Sequence, residues 1–211
     1  MLFARKILIN CPCCNSETNY YKTPIATFNM NLKTDLSYSR GGNRPAISHC
    51  KNCDYIYFDK TIFLDNNELK IFINSKEYKE LFNTYYKIKS FYIIFKIYEY
   101  MQQDKNSIDT LLLFNYYYTK DLKDLYLLLK NYININLVEN SNKELFKMKM
   151  LEGEYFRRIG DFEKAKNIFE SIVKLSKDFN GLSYFQLKLI KNKNTNLEIY
   201  KEDMGVFKIL C

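Results

Sequence analysis

The chain has 211 residues, 47% of them hydrophobic and 17% aromatic, and carries a formal charge of +8 from 32 Lys and Arg against 24 Asp and Glu. That apolar content excludes general disorder, and 6 Gly with 3 Pro are too few for a fold built on tight β-turns. The basic excess is mild, short of the stripe of Lys and Arg that marks a dedicated nucleic-acid binder.

The first informative stretch is a split cysteine quartet. Cys11-Pro12-Cys13-Cys14 and Cys50-Lys51-Asn52-Cys53 each contain a C-x-x-C step. A two-residue spacer lets both sulfurs of a turn face one ion, and two such steps supply four soft ligands to one tetrahedral metal. Cys11, Cys14, Cys50 and Cys53 are therefore the expected ligands of a structural Zn²⁺. An iron centre can use the same spacing, and zinc is the metal expected. Cys13 is read as a spare thiol and His49, the one histidine, as a bystander beside Cys50. Cys11-Pro12-Cys13-Cys14 also has the form of a thiol redox pair, but the strand–helix context that such chemistry needs is missing. A filled four-sulfur shell leaves no open position for catalysis.

Between the knuckles lie 35 residues, enough for an extended hairpin or loop. Ala26, Phe28, Met30 and Leu32 alternate with polar residues as in a half-buried strand. Gly41-Gly42-Asn43-Arg44-Pro45 is a turn cluster, and Tyr55-Ile56-Tyr57-Phe58 predicts a second strand. Asn15 and Asp54 directly follow the knuckles, where the backbone turns through positive φ, and both residue types tolerate it. The block 1–63 thus reads as a zinc ribbon, a module in which metal replaces a core too small to stand alone.

Residues 64–211 change to a helical period. Ser75 caps a predicted helix carrying Tyr78, Leu81, Phe82 and Tyr85, and an apolar stripe from Ile88 to Tyr98 follows on a helix ending near Gln103. Ser107 and Asp121 are expected to cap helices over 111–118 and 122–136. Ser141, with Glu144 three residues on, opens another. Gly160 closes that helix and Asp161 opens the next, and a last helix is predicted over about 182–191. Gly153-x-x-Phe156-x-x-x-Gly160-Asp161-Phe162-x-x-Ala165-x-x-x-Phe169 follows the spacing of a tetratricopeptide (TPR) repeat. In that motif small residues let two antiparallel helices approach, and the rings fill the groove between them. Arg157-Arg158 reads as a solvated patch. The aromatic residues fall at helical spacing and are read as core, not as base-stacking platforms.

The order of modules resembles a family of uncharacterised bacterial proteins, the domain-of-unknown-function group 2225. Cys11-Pro12-x-Cys14, Asn43 to Pro45, Cys50-x-x-Cys53-x-Tyr55 and Tyr155-Phe156-Arg157-Arg158-x-Gly160-Asp161 carry the resemblance. Lys51 and Asp54 depart from it, standing where the second knuckle usually has Pro and Gly. The resemblance implies metal binding and helical repeats, and no known reaction.

The fold expected is mainly α, with a small N-terminal β zinc ribbon followed by a TPR-like antiparallel helical array. The function expected is a non-catalytic, cytoplasmic scaffold with structural Zn²⁺ and a groove for a protein or peptide partner. The alternative is nucleic-acid binding through Lys33, Arg40, Arg44 and Lys51 on the ribbon. A secretory signal is not expected, because Ile7-Leu8-Ile9 is too short an apolar core. Nor is a membrane span, because Lys96 and Glu99 interrupt the most apolar window, 91–100.

Overall fold

The computed structural model describes residues 5–22, 33, 35–36, 47–58, 67–103, 105–133, 142–175 and 180–200. Two antiparallel hairpins come first. β1 (Arg5–Asn10) pairs with β2 (Glu17–Lys22), running from Arg5 opposite Lys22 to Asn10 opposite Glu17. β3 (Ser48–His49) pairs with β4 (Ile56–Tyr57), placing Ser48 opposite Tyr57 and His49 opposite Ile56. Each C-x-x-C step forms the tip of one hairpin. The strand expected after Cys53 is β4, whereas the strand at 26–32 and the turn at 41–45 lie outside the described residues.

Eight helices follow among the described residues: α1 (Asn67–Asn74), α2 (Lys76–Tyr85), α3 (Ser90–Tyr100), α4 (Lys105–Thr119), α5 (Leu122–Ile133), α6 (Asn142–Arg158), α7 (Phe162–Leu175) and α8 (Asn180–Lys191). The architecture is mainly α with a small N-terminal β ribbon. Ser75 caps α2 as expected, accepting the Tyr78 N–H at 3.1 Å. Its extended backbone (φ −69°, ψ 156°) also separates α2 from α1, a helix absent from the expectation that buries Leu69, Phe72 and Ile73. Asp121 accepts the Lys123 N–H at 2.9 Å ahead of α5, and Asp161 accepts the Lys164 N–H at 3.2 Å ahead of α7. α4 starts at Lys105, so Ser107 lies in its first turn and is not the cap. Ser141 is outside the described residues, and α6 begins at the next position. No helix among the described residues is long and apolar enough to cross a membrane.

The chain forms two compact units, Met1–Thr27 with Asn43–Asp124, and Phe28–Gly42 with Leu125–Cys211. The ribbon hairpins share a unit with α1–α4. Rings build the core of this first unit, as the aromatic content requires. Tyr55 stacks on Tyr57 with centroids 5.0 Å apart, Phe72 on Tyr100 at 4.3 Å, and Phe91 meets Phe114 at 5.5 Å. Such offset and tilted pairs each add about 0.5–1.5 kcal/mol beyond the area they bury.

In the second unit α6 and α7 form a hairpin, and α8 packs on both. Gly160 turns the chain at φ +86°, a conformation glycine adopts without steric cost. Gly153 lies so close to α7 that an added Cβ would sit 2.6 Å from the Phe169 ring. Arg157 corrects the expectation of a solvated patch, because its side chain is fully buried. It makes two-oxygen contact with Glu154 at 2.9 Å, one turn earlier on the same face of α6. It also donates to the backbone carbonyls of Asn194 and Asn196. Gln186 on α8 donates to the same carboxylate at 2.9 Å. The guanidinium is buried because the segment after α8 folds back over it and supplies carbonyl acceptors.

A candidate four-cysteine metal centre

The two knuckles repeat one local design. In the first, the Cys11 N–H donates to the Ser16 carbonyl at 2.7 Å and the Asn15 N–H returns to the Cys11 carbonyl at 2.9 Å. In the second, the Cys50 N–H donates to the Tyr55 carbonyl and the Asp54 N–H to the Cys50 carbonyl, both at 2.9 Å. Asn15 and Asp54, one past the last cysteine of each step, have φ of 59° and 62°. That left-handed residue lets the chain double back while both sulfurs stay on the inner side of the turn. Both positions were expected to adopt it.

The structure brings Cys11, Cys14, Cys50 and Cys53 together, with all four Sγ atoms within 4.8 Å of one another. Across the two hairpins, Cys11 Sγ lies 3.8 Å from Cys53 Sγ and Cys14 Sγ lies 3.6 Å from Cys50 Sγ. A tetrahedron with metal–sulfur bonds of about 2.3 Å has edges of about 3.8 Å, so the cluster has nearly the size one ion requires. Cys11 and Cys50 are buried, and Cys14 and Cys53 are partly exposed.

Electrostatics within the cluster are uneven. The hydrogen bond shared with Cys53 and then burial push the Cys11 thiol far up. The Cys53 thiol is also raised: the bond to Cys11 acts against this, but contact with Cys13 and burial prevail. Burial opposes ionisation of Cys14, yet hydrogen bonds from Asn52 and Ser16 lower it to about 6. Ser16 Oγ lies 2.9 Å from Cys14 Sγ and 3.3 Å from Cys50 Sγ, and Asn52 Nδ2 lies 3.4 Å from Cys14 Sγ. A cation that satisfies four sulfurs at once relieves this crowding by displacing the shared protons.

Cys13 is buried beside the quartet and stands outside the group of four. His49 is engaged elsewhere. Its Nε2 is 3.4 Å from Asp54 Oδ1 and its Nδ1 is 3.0 Å from the Tyr86 hydroxyl. A carboxylate can only accept, so Nε2 carries the proton, and in the neutral ring Nδ1 accepts from Tyr86. The imidazole also packs on the Phe82 and Tyr86 rings, with centroids 5.4 and 4.8 Å away.

Of the basic residues considered for nucleic acid, Lys51 is exposed and Lys33 is half-buried, while Arg40 and Arg44 are outside the described residues. Sequence reasoning missed Ser16 and Asn52, whose polar side chains beside cysteines were the available signal. It also missed Tyr86, for which spacing offered none. No family model, curated protein or solved structure matches the chain.

Proposed function

We propose that the protein is a non-catalytic scaffold in which a structural Zn²⁺ ties the two knuckles together and the helical array receives a protein or peptide. The observation that carries this reading is the cluster of four cysteine sulfurs, all within 4.8 Å of one another. Four thiolates fill the shell of Zn²⁺, leave no position for a substrate or reactive water, and suit a structural role. Thiolate softness favours zinc over the oxygen-seeking cations, and iron remains the chemical competitor.

Support for the partner-binding half comes from the second unit. Gly153 against Phe169, the fully buried Ala165 and the turn at Gly160 agree with the spacing of a TPR-like hairpin. Tyr126, Ile159 and Tyr184 leave large apolar surface exposed there, and rings of this kind anchor protein interfaces well.

Metal analysis of the purified chain tests the first half. One zinc per chain is expected, and a red, visibly absorbing iron centre or no bound metal would overturn it. Affinity capture from the native lysate, with nuclease and with zinc retained, tests the second. A protein held by the natural chain and lost from a Tyr126→Ser/Tyr184→Ser variant supports the scaffold. Binding that disappears with nuclease would instead favour a nucleic-acid role for the ribbon.

A further inference from the structure

The second knuckle is gripped by α2 through side chains that the metal site itself does not need. Tyr78, fully buried, donates its hydroxyl to the Asp54 carbonyl at 2.8 Å. Lys79 Nζ reaches the Cys53 carbonyl at 3.4 Å and the Asp54 carboxylate at 3.5 Å. At the end of the helix, Tyr86 holds His49 through the 3.0 Å bond to Nδ1, and Phe82 packs on the same ring. The helix thus takes hold of the residue before Cys50, of Cys53, and of the residue after it.

We infer that the metal centre and α2 form one linked device, in which an ion at the four cysteines holds the second knuckle in the shape that α2 grips, so that metal binding and α2 docking stabilise each other. This rests on reading the quartet as a metal site. The acceptors for Tyr78 and Lys79 are backbone carbonyls of the knuckle, and they point at α2 only while Asp54 keeps its left-handed φ and its bond back to Cys50. No disulfide ties Cys50 and Cys53 to Cys11 and Cys14; the Thr18–His49 and Tyr21–Ser48 hydrogen bonds join the hairpins along their strands, and an ion at the four sulfurs would add the tie at their tips. Coupling of this kind is reciprocal: whatever factor the ion adds to α2 docking, α2 adds to ion retention.

Hydrogen exchange of the full chain, zinc-loaded and after chelator treatment, tests the inference. Removal of zinc is expected to speed exchange at least tenfold over residues 76–86 while α6–α8 keep their protection. The reciprocal arm uses Tyr78→Phe/Tyr86→Phe, which is expected to bind one zinc per chain yet surrender it to a chromogenic chelator roughly tenfold faster, as the loss of two hydrogen bonds implies. Tyr86→Phe alone, at a half-exposed position, serves if the double variant does not fold. Lys79→Ala should give a smaller acceleration in the same direction. Exchange over 76–86 that ignores zinc, or variants that release it at the natural rate, would overturn the linkage and leave the metal site standing. A chain that binds no zinc at all would overturn both.

Discussion

The chain holds two irregular segments in place, and it does so by opposite means. In the ribbon the knuckle backbones converge on four sulfurs whose arrangement suits an ion from outside the chain. After α8, the turn containing Asn194 and Asn196 converges on Arg157, a cation that is part of the chain and is neutralised by Glu154. In both places several acceptors, sulfurs in one and carbonyls and a carboxylate in the other, converge on a point that suits a cation. They differ in what can be withdrawn: an ion held by the four sulfurs would yield to a chelator, whereas Arg157 can be removed only by mutation. On the proposed reading, the order of one region depends on metal supply, while the other uses a cation of the chain itself.

The largest effect should come from breaking the metal side. Cys50→Ser replaces a buried cysteine sulfur by a hydroxyl that is a poor zinc ligand, and the variant is expected to lose stoichiometric metal. Binding of structural zinc in small modules is worth about 10–16 kcal/mol at neutral pH, comparable to the whole stability of a domain. Loss of the near-ultraviolet tyrosine signal of the ring-rich first unit should accompany loss of zinc. A metal-free variant that keeps this signal would mean the sulfurs form an adequate core by themselves, and the contrast between the regions would collapse.

On the other side, Arg157→Ala leaves the Glu154 carboxylate buried opposite Gln186 with its cation gone. Breaking a buried pair in this way costs about 3–5 kcal/mol, readable as a lower urea midpoint with metal content unchanged. Replacing both partners, as Glu154→Leu/Arg157→Met, removes the desolvation cost with the attraction and should recover most of the loss. If the double variant is no better than Arg157→Ala, the grip on the Asn194 and Asn196 carbonyls matters more than the ion pair.

A smaller perturbation probes packing in that same region. Gly153→Ala puts a methyl against the Phe169 ring at 2.6 Å, so the helices must part or the ring must turn. Overpacking of this kind costs about 1–3 kcal/mol. Phe169→Leu should relieve part of it, giving a favourable coupling in a double-mutant cycle. Additive losses would show that α6 and α7 separate without resistance.

The sequence revealed what is local and periodic. The cysteine spacing located the quartet because a C-x-x-C turn carries its own geometry, and Asn15 and Asp54 were legible because few residue types accept positive φ. Ser75, Asp121 and Asp161 were readable as caps because each bonds within three residues. What could not be read depends on chain brought from afar. Tyr86 meets His49 across 37 positions, and no spacing rule connects them. Arg157-Arg158 looked solvated because two arginines at a helix end usually are, and its burial comes from carbonyls 37 and 39 residues later. α1 leaves no separate signal because Ser75, which caps α2, also ends the helix before it.

The smallest expected effect lies two residues from Glu154. Glu152 is half-buried on α6, and burial raises its carboxyl above the ordinary range, with the positive charge of Lys149 opposing this incompletely. A raised acid is one that the folded chain prefers protonated. Between the unfolded and folded values the native state holds a proton that the unfolded chain has released, so stability declines as pH rises through that window. Above that window Glu152 carries its charge at a net cost, so Glu152→Gln should raise stability there, with the gap closing as the pH falls below the ordinary carboxylate range, where both states are protonated. Glu154→Gln should do the reverse at neutral pH, since that carboxylate is held by Arg157. Urea midpoints of the two variants at neutral and acid pH would separate these cases on a single helix. Destabilisation by Glu152→Gln at neutral pH would mean that attraction to Lys149 outweighs burial, and that α6 carries a second working ion pair in place of a charge it tolerates.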